Sequence, residues 1–344
     1  MKELMKPVSG ALDTIRSAFL KHKKLCLLIG VVLSILLPLV FPGGYICGVF
    51  CRILFYGTMA GALNVINGYS GQMCLGVAGF FAIGSYTEAI LATKFGLSMW
   101  VCILLSGIVS MIFGAVLALP TKRLSGIYLA IITLGFSEVI RIVCLNWTGL
   151  TGGTMGIKDI PAPTLFGFVF SRPRHYYYIF LVLAIIFLFC TRRVVNSRIG
   201  RAWMSIREDE LAAKSLGVEN GTYKITSFMY GAFWVGAIGA VYAPYVSYID
   251  STLFTLDTGW NVLAMLIIGG QGTLSGALVG STVINTLTEA LRSFGDWRYV
   301  VYALLILVVM WVRPQGIAGA SNSILAGEKE QKVKQDAETK EEVC

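Results

Sequence analysis

Apolar runs about as long as a bilayer core is thick follow one another along this chain, separated by brief turn signals. A helix needs roughly 20 apolar residues to cross the hydrocarbon of a membrane. On that measure the pattern predicts ten α-helical spans, over 25–42, 46–66, 71–93, 97–119, 127–145, 177–191, 225–245, 256–269, 273–292 and 299–313, with the sixth and eighth short. The runs are continuous and do not alternate, which excludes a β-barrel. The expected fold is all-α and polytopic. One interval breaks the pattern. Between Cys190 and Ile225 stands TRRVVNSRIGRAWMSIREDELAAKSLGVENGTYK, the largest charged island inside the apolar sequence. Trp203, Ile206 or Arg207, Glu210 and Lys214 recur there at helical spacing, and Gly217 is a natural helix stop. The island is expected to hold one amphipathic helix over 201–216, presented to something outside the bilayer.

Composition and charge sharpen this picture. Of 344 residues 56% are hydrophobic and only 14% charged, outside the range of soluble domains. The net charge of +9 would suggest nucleic acid only as a patch on a soluble surface. Here the basic residues flank spans, the positive-inside pattern, so no nucleic-acid partner is expected. Lys2, Lys6, Arg16, Lys21, Lys23 and Lys24 precede the first span. Lys122, Arg123, Arg192, Arg193, Arg198, Arg201, Arg207 and Arg313 then fall on the same side, against Lys158, Arg172 and Arg174 in the longest opposite loop, 146–176. Both termini are thus expected in the cytosol. The chain divides into a basic cytosolic segment 1–24, a membrane domain 25–313 carrying the loops 146–176 and 191–224, and a polar cytosolic tail 314–344 with too few apolar residues to form a core. The first span is expected to be retained, since no small-residue cleavage site follows it. Seven of the eight cysteines lie in or at the ends of apolar runs without metal-ligand spacing, and His22 and His175 sit in separate loops. No metal site or disulfide framework is expected.

The candidate chemistry is sparse. No phosphate-cradling Gly-x-x-x-x-Gly-Lys-Ser/Thr loop occurs, and no Ser/His/Asp set or paired carboxylates in a cleft. The pattern offers an enzyme nothing to work with. Glycines at 57 and 61, and at 272, 276 and 280, recur every four residues, as tight helix packing in lipid requires. Ionisable residues within spans are more telling, because hydrocarbon penalises them. Glu138 and Arg141 stand three apart, as do Glu289 and Arg292, so each pair shares a helix face. Arg52 and Glu88 have no local partner. Asn64, Asn67, Ser70 and Gln72 surround Gly68 and Gly71 in NGYSGQMCLG, a turn-rich run close to the membrane. It is either a simple inside turn or irregular backbone lining a translocation path, the two settings such backbone tolerates. The candidate path residues are Asn64, Asn67, Gln72, Glu88, Glu138 and Arg141. Arg172 and Arg174 run against the charge asymmetry and are candidate docking points for an external protein. A faint similarity links Gly71-Gln72-x-x-Leu75-Gly76 to Gly270-Gln271-Gly272-x-Leu274-x-Gly276.

Four separated segments, SRIGRAWMSIREDELAAKSLGV, GLTGGTMGI, GGQGTLSGALVG and WVRPQGI, together resemble the inner-membrane permease of branched-chain amino acid ABC importers. The resemblance covers about residues 46–318 and leaves the charged tail outside. It implies that the island is the coupling loop that docks on an ATPase subunit, with Glu210-Leu211-Ala212-Ala213 through Gly217 matching the family's Glu-Ala-Ala…Gly pattern, Leu replacing the first Ala. Arg201, Ile206, Arg207, Glu210, Leu211, Ala212, Ala213 and Gly217 would then be the ATPase-coupling residues. The implied partners are a second related permease, two ABC ATPase subunits, an extracytoplasmic solute-binding protein and the lipid bilayer of a bacterial inner membrane. This chain would bind no cofactor, leaving ATP and Mg to its partners, and leucine, isoleucine and valine would be the cargo. Two alternatives stand: a related permease for urea or short amides, and a secondary transporter that uses no ATP.

Overall fold

A computed structural model describes residues 43–121, 124, 126–165, 168–170 and 172–292, together with positions 37, 38, 301, 303, 304, 307, 311, 316 and 317. The expected spans 25–42 and 299–313 and the expected tail 314–344 lie largely outside these residues. The described chain is a helical bundle. Its elements are α1 (Gly44–Asn64), α2 (Val77–Phe95), α3 (Met99–Thr121), α4 (Ile127–Asn146), a single turn α5 (Thr148–Thr151), α6 (Pro173–Val195), α7 (Arg198–Glu208), α8 (Glu210–Ser215), α9 (Asn220–Val246), α10 (Leu256–Gly269) and α11 (Gly276–Ala290). A two-residue hairpin, β1 (Thr164–Leu165) and β2 (Phe168–Val169), is the only sheet among the described residues. Among the described residues, five stretches are long and apolar enough to cross a membrane: Gly44–Tyr69, Met99–Pro120, Ile127–Asn146, Pro173–Val195 and Asn220–Val246.

Helix α9 is the hub, packing on α3, α2, α1 and α6, while α1, α10 and α11 form a second group beside it. Small residues bring these helices together, as close backbone approach in lipid demands. A methyl group on Gly84 of α2 would lie 2.3 Å from the Gly236 carbonyl of α9, and one on Gly280 of α11 would lie 1.8 Å from the Met265 carbonyl of α10. Gly57 and Gly61 do serve packing, but against different neighbours, Leu278 of α11 and Phe187 of α6. Gly272 departs from the expected glycine stripe and stands in the turn before α11 with a positive φ of 76°. The outward faces are apolar. Leu104, Ile108, Ile112, Val116 and Leu119 form a stripe on α3, and Ile127, Ile131, Val139 and Ile142 another on α4. Exposed residues of this kind at helical spacing are what a hydrocarbon solvent accepts, so the bundle is embedded in a membrane.

The connections sort into two ends. At one lie the segment after α1, the α7–α8 region and the α10–α11 turn, joined by Arg207 and Asn64. At the other, Ile157 pairs with Ile249, Lys94 bonds to the Gly149 carbonyl at 2.9 Å, and Trp100 bonds to the Thr164 carbonyl at 3.2 Å. Two expectations need correcting. The third span begins at Val77, not 71, because Gly71 to Gly76 is irregular backbone. The single island helix over 201–216 is two helices, because Asp209 leaves the helical region at φ −154° and ψ 114°.

Candidate functional site

The charged island is rooted in the bundle by one side chain. Trp203 on α7 is fully buried, with Val65, Tyr69 and Val195 around it, and its indole N–H donates to the Tyr223 carbonyl at 2.8 Å. Burying a large aromatic ring with its polar atom satisfied anchors a surface helix strongly. Ser197 caps the start of α7 through the Ile199 N–H, and Asp209 caps α8 by accepting from Leu211 and Ala212 at 2.8 and 3.0 Å. After α8, Gly217 turns back with φ +83°, and the Val218 N–H closes on the Ala213 carbonyl at 3.0 Å, a glycine stop of the Schellman kind. Glu210 bonds to the buried Lys224 at 2.6 Å, and Asn220 donates to the Glu210 carbonyl at 2.7 Å. The pair α7–α8 is thus a fixed projection.

The eight residues expected to couple to an ATPase do not share one role in this geometry. Ile206 and Ala213 are buried within the chain at 5% and 2% exposure and shape the projection from inside. Glu210 is held by Lys224, and Arg201 donates to the Asn196 carbonyl at 3.2 Å. Leu211, Ala212 and Gly217 face outward. Leu216 was not anticipated, yet it is 82% exposed, beside Leu211 at 80%. It stands at the C-cap, past the last helical residue of α8 and before the Gly217 turn. Arg207 turns toward the bundle and bonds to the Gly68 carbonyl.

The run NGYSGQ forms a break in the helix. Val65–Tyr69 is a π-turn, and the chain then becomes irregular until α2. The amides expected to meet a solute are bonded to the protein instead. Asn64, 2% exposed, donates to the Thr273 carbonyl at 2.8 Å and accepts from the Gly272 N–H at 2.8 Å. Asn67 exchanges both bonds with the Cys74 backbone at 3.1 and 3.3 Å. Gln72, 4% exposed, donates to Ser70 and Ser227 at 2.7 and 2.8 Å. The turn is thus held by bonds to its own chain.

The intramembrane charges resolve differently from one another. Arg141 grips Glu138 through Nε and Nη2, with Nε 3.0 Å from both carboxylate oxygens. This i, i+3 pair neutralises itself on α4. Arg52, which has no neighbour in sequence to pair with, meets Glu289 at 2.8 Å, and Tyr45 and Arg292 complete the group. Glu88 is fully buried, and neither carboxylate oxygen has a hydrogen-bond partner among the described residues. At the opposite end from α7–α8, Arg172 is exposed, but Arg174 donates to the Pro38 carbonyl and is half-buried. The expected basic pair is therefore one available arginine and one structural one. No group of histidine, cysteine or carboxylate side chains suited to a metal exists among the described residues.

The architecture is a membrane-embedded helical bundle with small-residue interfaces and one anchored extramembrane helix pair, and it is compatible with a transport subunit. Residues 45–310 match the family described as branched-chain amino acid transport system permease component, and the chain belongs to that family. It is 34% identical over 343 residues to LivM of Salmonella typhimurium, a high-affinity branched-chain amino acid transport system permease protein, covering 92% of this chain and 80% of that one. LivM of Escherichia coli K12 is likewise 34% identical over 340 residues, covering 91% and 79%. A probable branched-chain amino acid transport permease of Methanocaldococcus jannaschii is 25% identical over 307 residues, 74% of this chain and 88% of its own. No solved structure shows significant similarity.

Proposed function

We propose that this chain is one of two related permease subunits of an ATP-driven importer for leucine, isoleucine and valine. Two ATPase subunits supply ATP and Mg, and an extracytoplasmic solute-binding protein delivers the amino acid. The end carrying α7–α8 is cytosolic, with both termini on that side of a bacterial inner membrane, as the Lys and Arg distribution favours. The observation that carries this reading is the pair Leu211 and Leu216. These are large apolar side chains exposed on a short, capped, rooted helix, the form of an anchor for an apolar pocket. The path runs along the contact with the second permease. Asn64, Asn67, Gln72, Glu88, Glu138 and Arg141 shape its wall from within this chain. Arg172 is the residue on the opposite end available to acidic groups of the binding protein.

Leu211→Asp tests the docking. An unpaired carboxylate in a packed contact is costly, so the ATPase subunits are expected to be lost on co-purification while the permease remains inserted and monodisperse. Full recovery of ATPase with Leu211→Asp and Leu216→Asp together would remove α8 from the interface.

A further inference from the structure

Two stretches with a faint sequence likeness, 71–76 and 270–276, prove to be neighbours in space. Both are breaks in helical backbone at the same end of the bundle and both meet Arg207, while Asn64, at the end of α1, holds the second by accepting from the Gly272 N–H and donating to the Thr273 carbonyl. Arg207 of α7 reaches into the seam between them. Its Nη1 donates to the Gly68 carbonyl, a backbone acceptor at the π-turn, where the regular i to i+4 ladder is interrupted. Three glycines ring the arginine. A methyl group on Gly71 would stand 2.9 Å from Arg207 Cγ, and one on Gly272 would stand 2.5 Å from Arg207 Nη1. A methyl on Gly68 would lie 2.5 Å from the Gly272 N–H nitrogen. Gly71 and Gly272 also hold positive φ values of 70° and 76°, which L side chains resist. Side chains at Gly71 and Gly272 would collide with Arg207, which lies along the seam and keeps an exposed face.

We propose that Arg207 is a positioning residue that locks the α7–α8 projection to both backbone breaks, so that a displacement of α8 moves the ends of α1, α2, α10 and α11 together. This rests on the reading that α7–α8 contacts an ATPase, and it assigns Arg207 a role other than that contact. Its guanidinium faces the membrane domain, while Leu211 and Leu216 face away. The breaks supply the yielding backbone such a transfer needs, because α1 and α2 are not one continuous helix but meet through a π-turn and irregular residues. Trp203 and Arg207, one turn apart and so on one face of α7, both bond to the membrane domain.

The test uses the full assembly of permeases, ATPases and binding protein in liposomes, with Arg207→Gln and Arg207→Lys. ATPase subunits are expected to co-purify normally with both variants. With Arg207→Gln, leucine taken up per ATP hydrolysed is expected to fall about tenfold, the scale of a lost coupling between sites, while hydrolysis itself changes by less than about twofold. Arg207→Lys, which keeps one charged donor, recovers part of the loss. Uptake per ATP equal to wild type in Arg207→Gln overturns the proposal. Loss of ATPase from a folded Arg207→Gln permease also overturns it, by placing Arg207 in the docking surface, and leaves the docking reading intact. Failure of that reading shows separately, as normal co-purification with Leu211→Asp. A spin-label pair at Lys214→Cys and Gln271→Cys, both exposed sites, gives an answer without altering Arg207. The distance is expected to stay fixed when ATP is trapped, and a change of several ångström would refute the lock.

Discussion

Arg52 and Glu289 stand 237 positions apart and meet at 2.8 Å, whereas Glu138 and Arg141 are neighbours on one helix turn. The second pair is legible in sequence because helical spacing alone brings it together. The first is not, because only the packing of α11 on α1 makes it. Glu88 is a third case, with no partner at either range among the described residues. A carboxylate with two unpaired oxygens in an apolar interior is disfavoured, so nothing in the bundle depends on a charge there. Glu88→Gln is therefore expected to leave insertion, thermal stability and leucine uptake within about twofold of wild type, whereas Glu88→Lys, a longer unpaired cation, costs several kcal/mol and prevents folding. Folded Glu88→Gln protein without uptake would show that the acidic group itself is used in transport. The amides of Asn64, Asn67 and Gln72 mark the limit of residue-level reading. Sequence shows that polar groups lie near the membrane but not whether water or backbone satisfies them.

At the level of elements, the island shows how a correct period can hide a break. Trp203, Ile206, Glu210 and Lys214 follow a helical rhythm across 201–216, yet the chain leaves the helix at Asp209 and restarts with that side chain as cap. Asp is a far better helix cap than helix interior residue, and Asp209 followed by Glu210 was the available signal. The root of the island is a packing matter. Trp203→Ala removes a fully buried ring at an expected cost of about 3–5 kcal/mol. Lowered thermal stability in detergent and early proteolysis between 198 and 217 are the expected signs. Leu211→Ala, at an exposed site, is expected to leave both unchanged. Equal effects from the two substitutions would mean that Trp203 does not root the island.

For the molecule as a whole, the apolar runs were enough to locate eight of the eleven described helices, because lipid forces backbone bonds to close within each segment. The α10 bounds agree with the expected 256–269, and α4 begins at the expected Ile127. Which helices touch was not legible, since Gly57 and Gly61 share a face in sequence but serve α11 and α6 separately. Among the described residues, Arg192, Arg193, Arg198, Arg201 and Arg207 lie toward one end of the bundle and Lys158, Arg172 and Arg174 toward the other. The permease account joins that topology to an outside energy source through α8, and one measurement tests it directly. In proteoliposomes holding the whole assembly, with ion gradients collapsed by ionophore, radiolabelled leucine uptake is expected to require ATP and the binding protein, and to be competed by isoleucine and valine but not by urea. Uptake that proceeds without ATP and follows an imposed proton or sodium gradient would contradict the account.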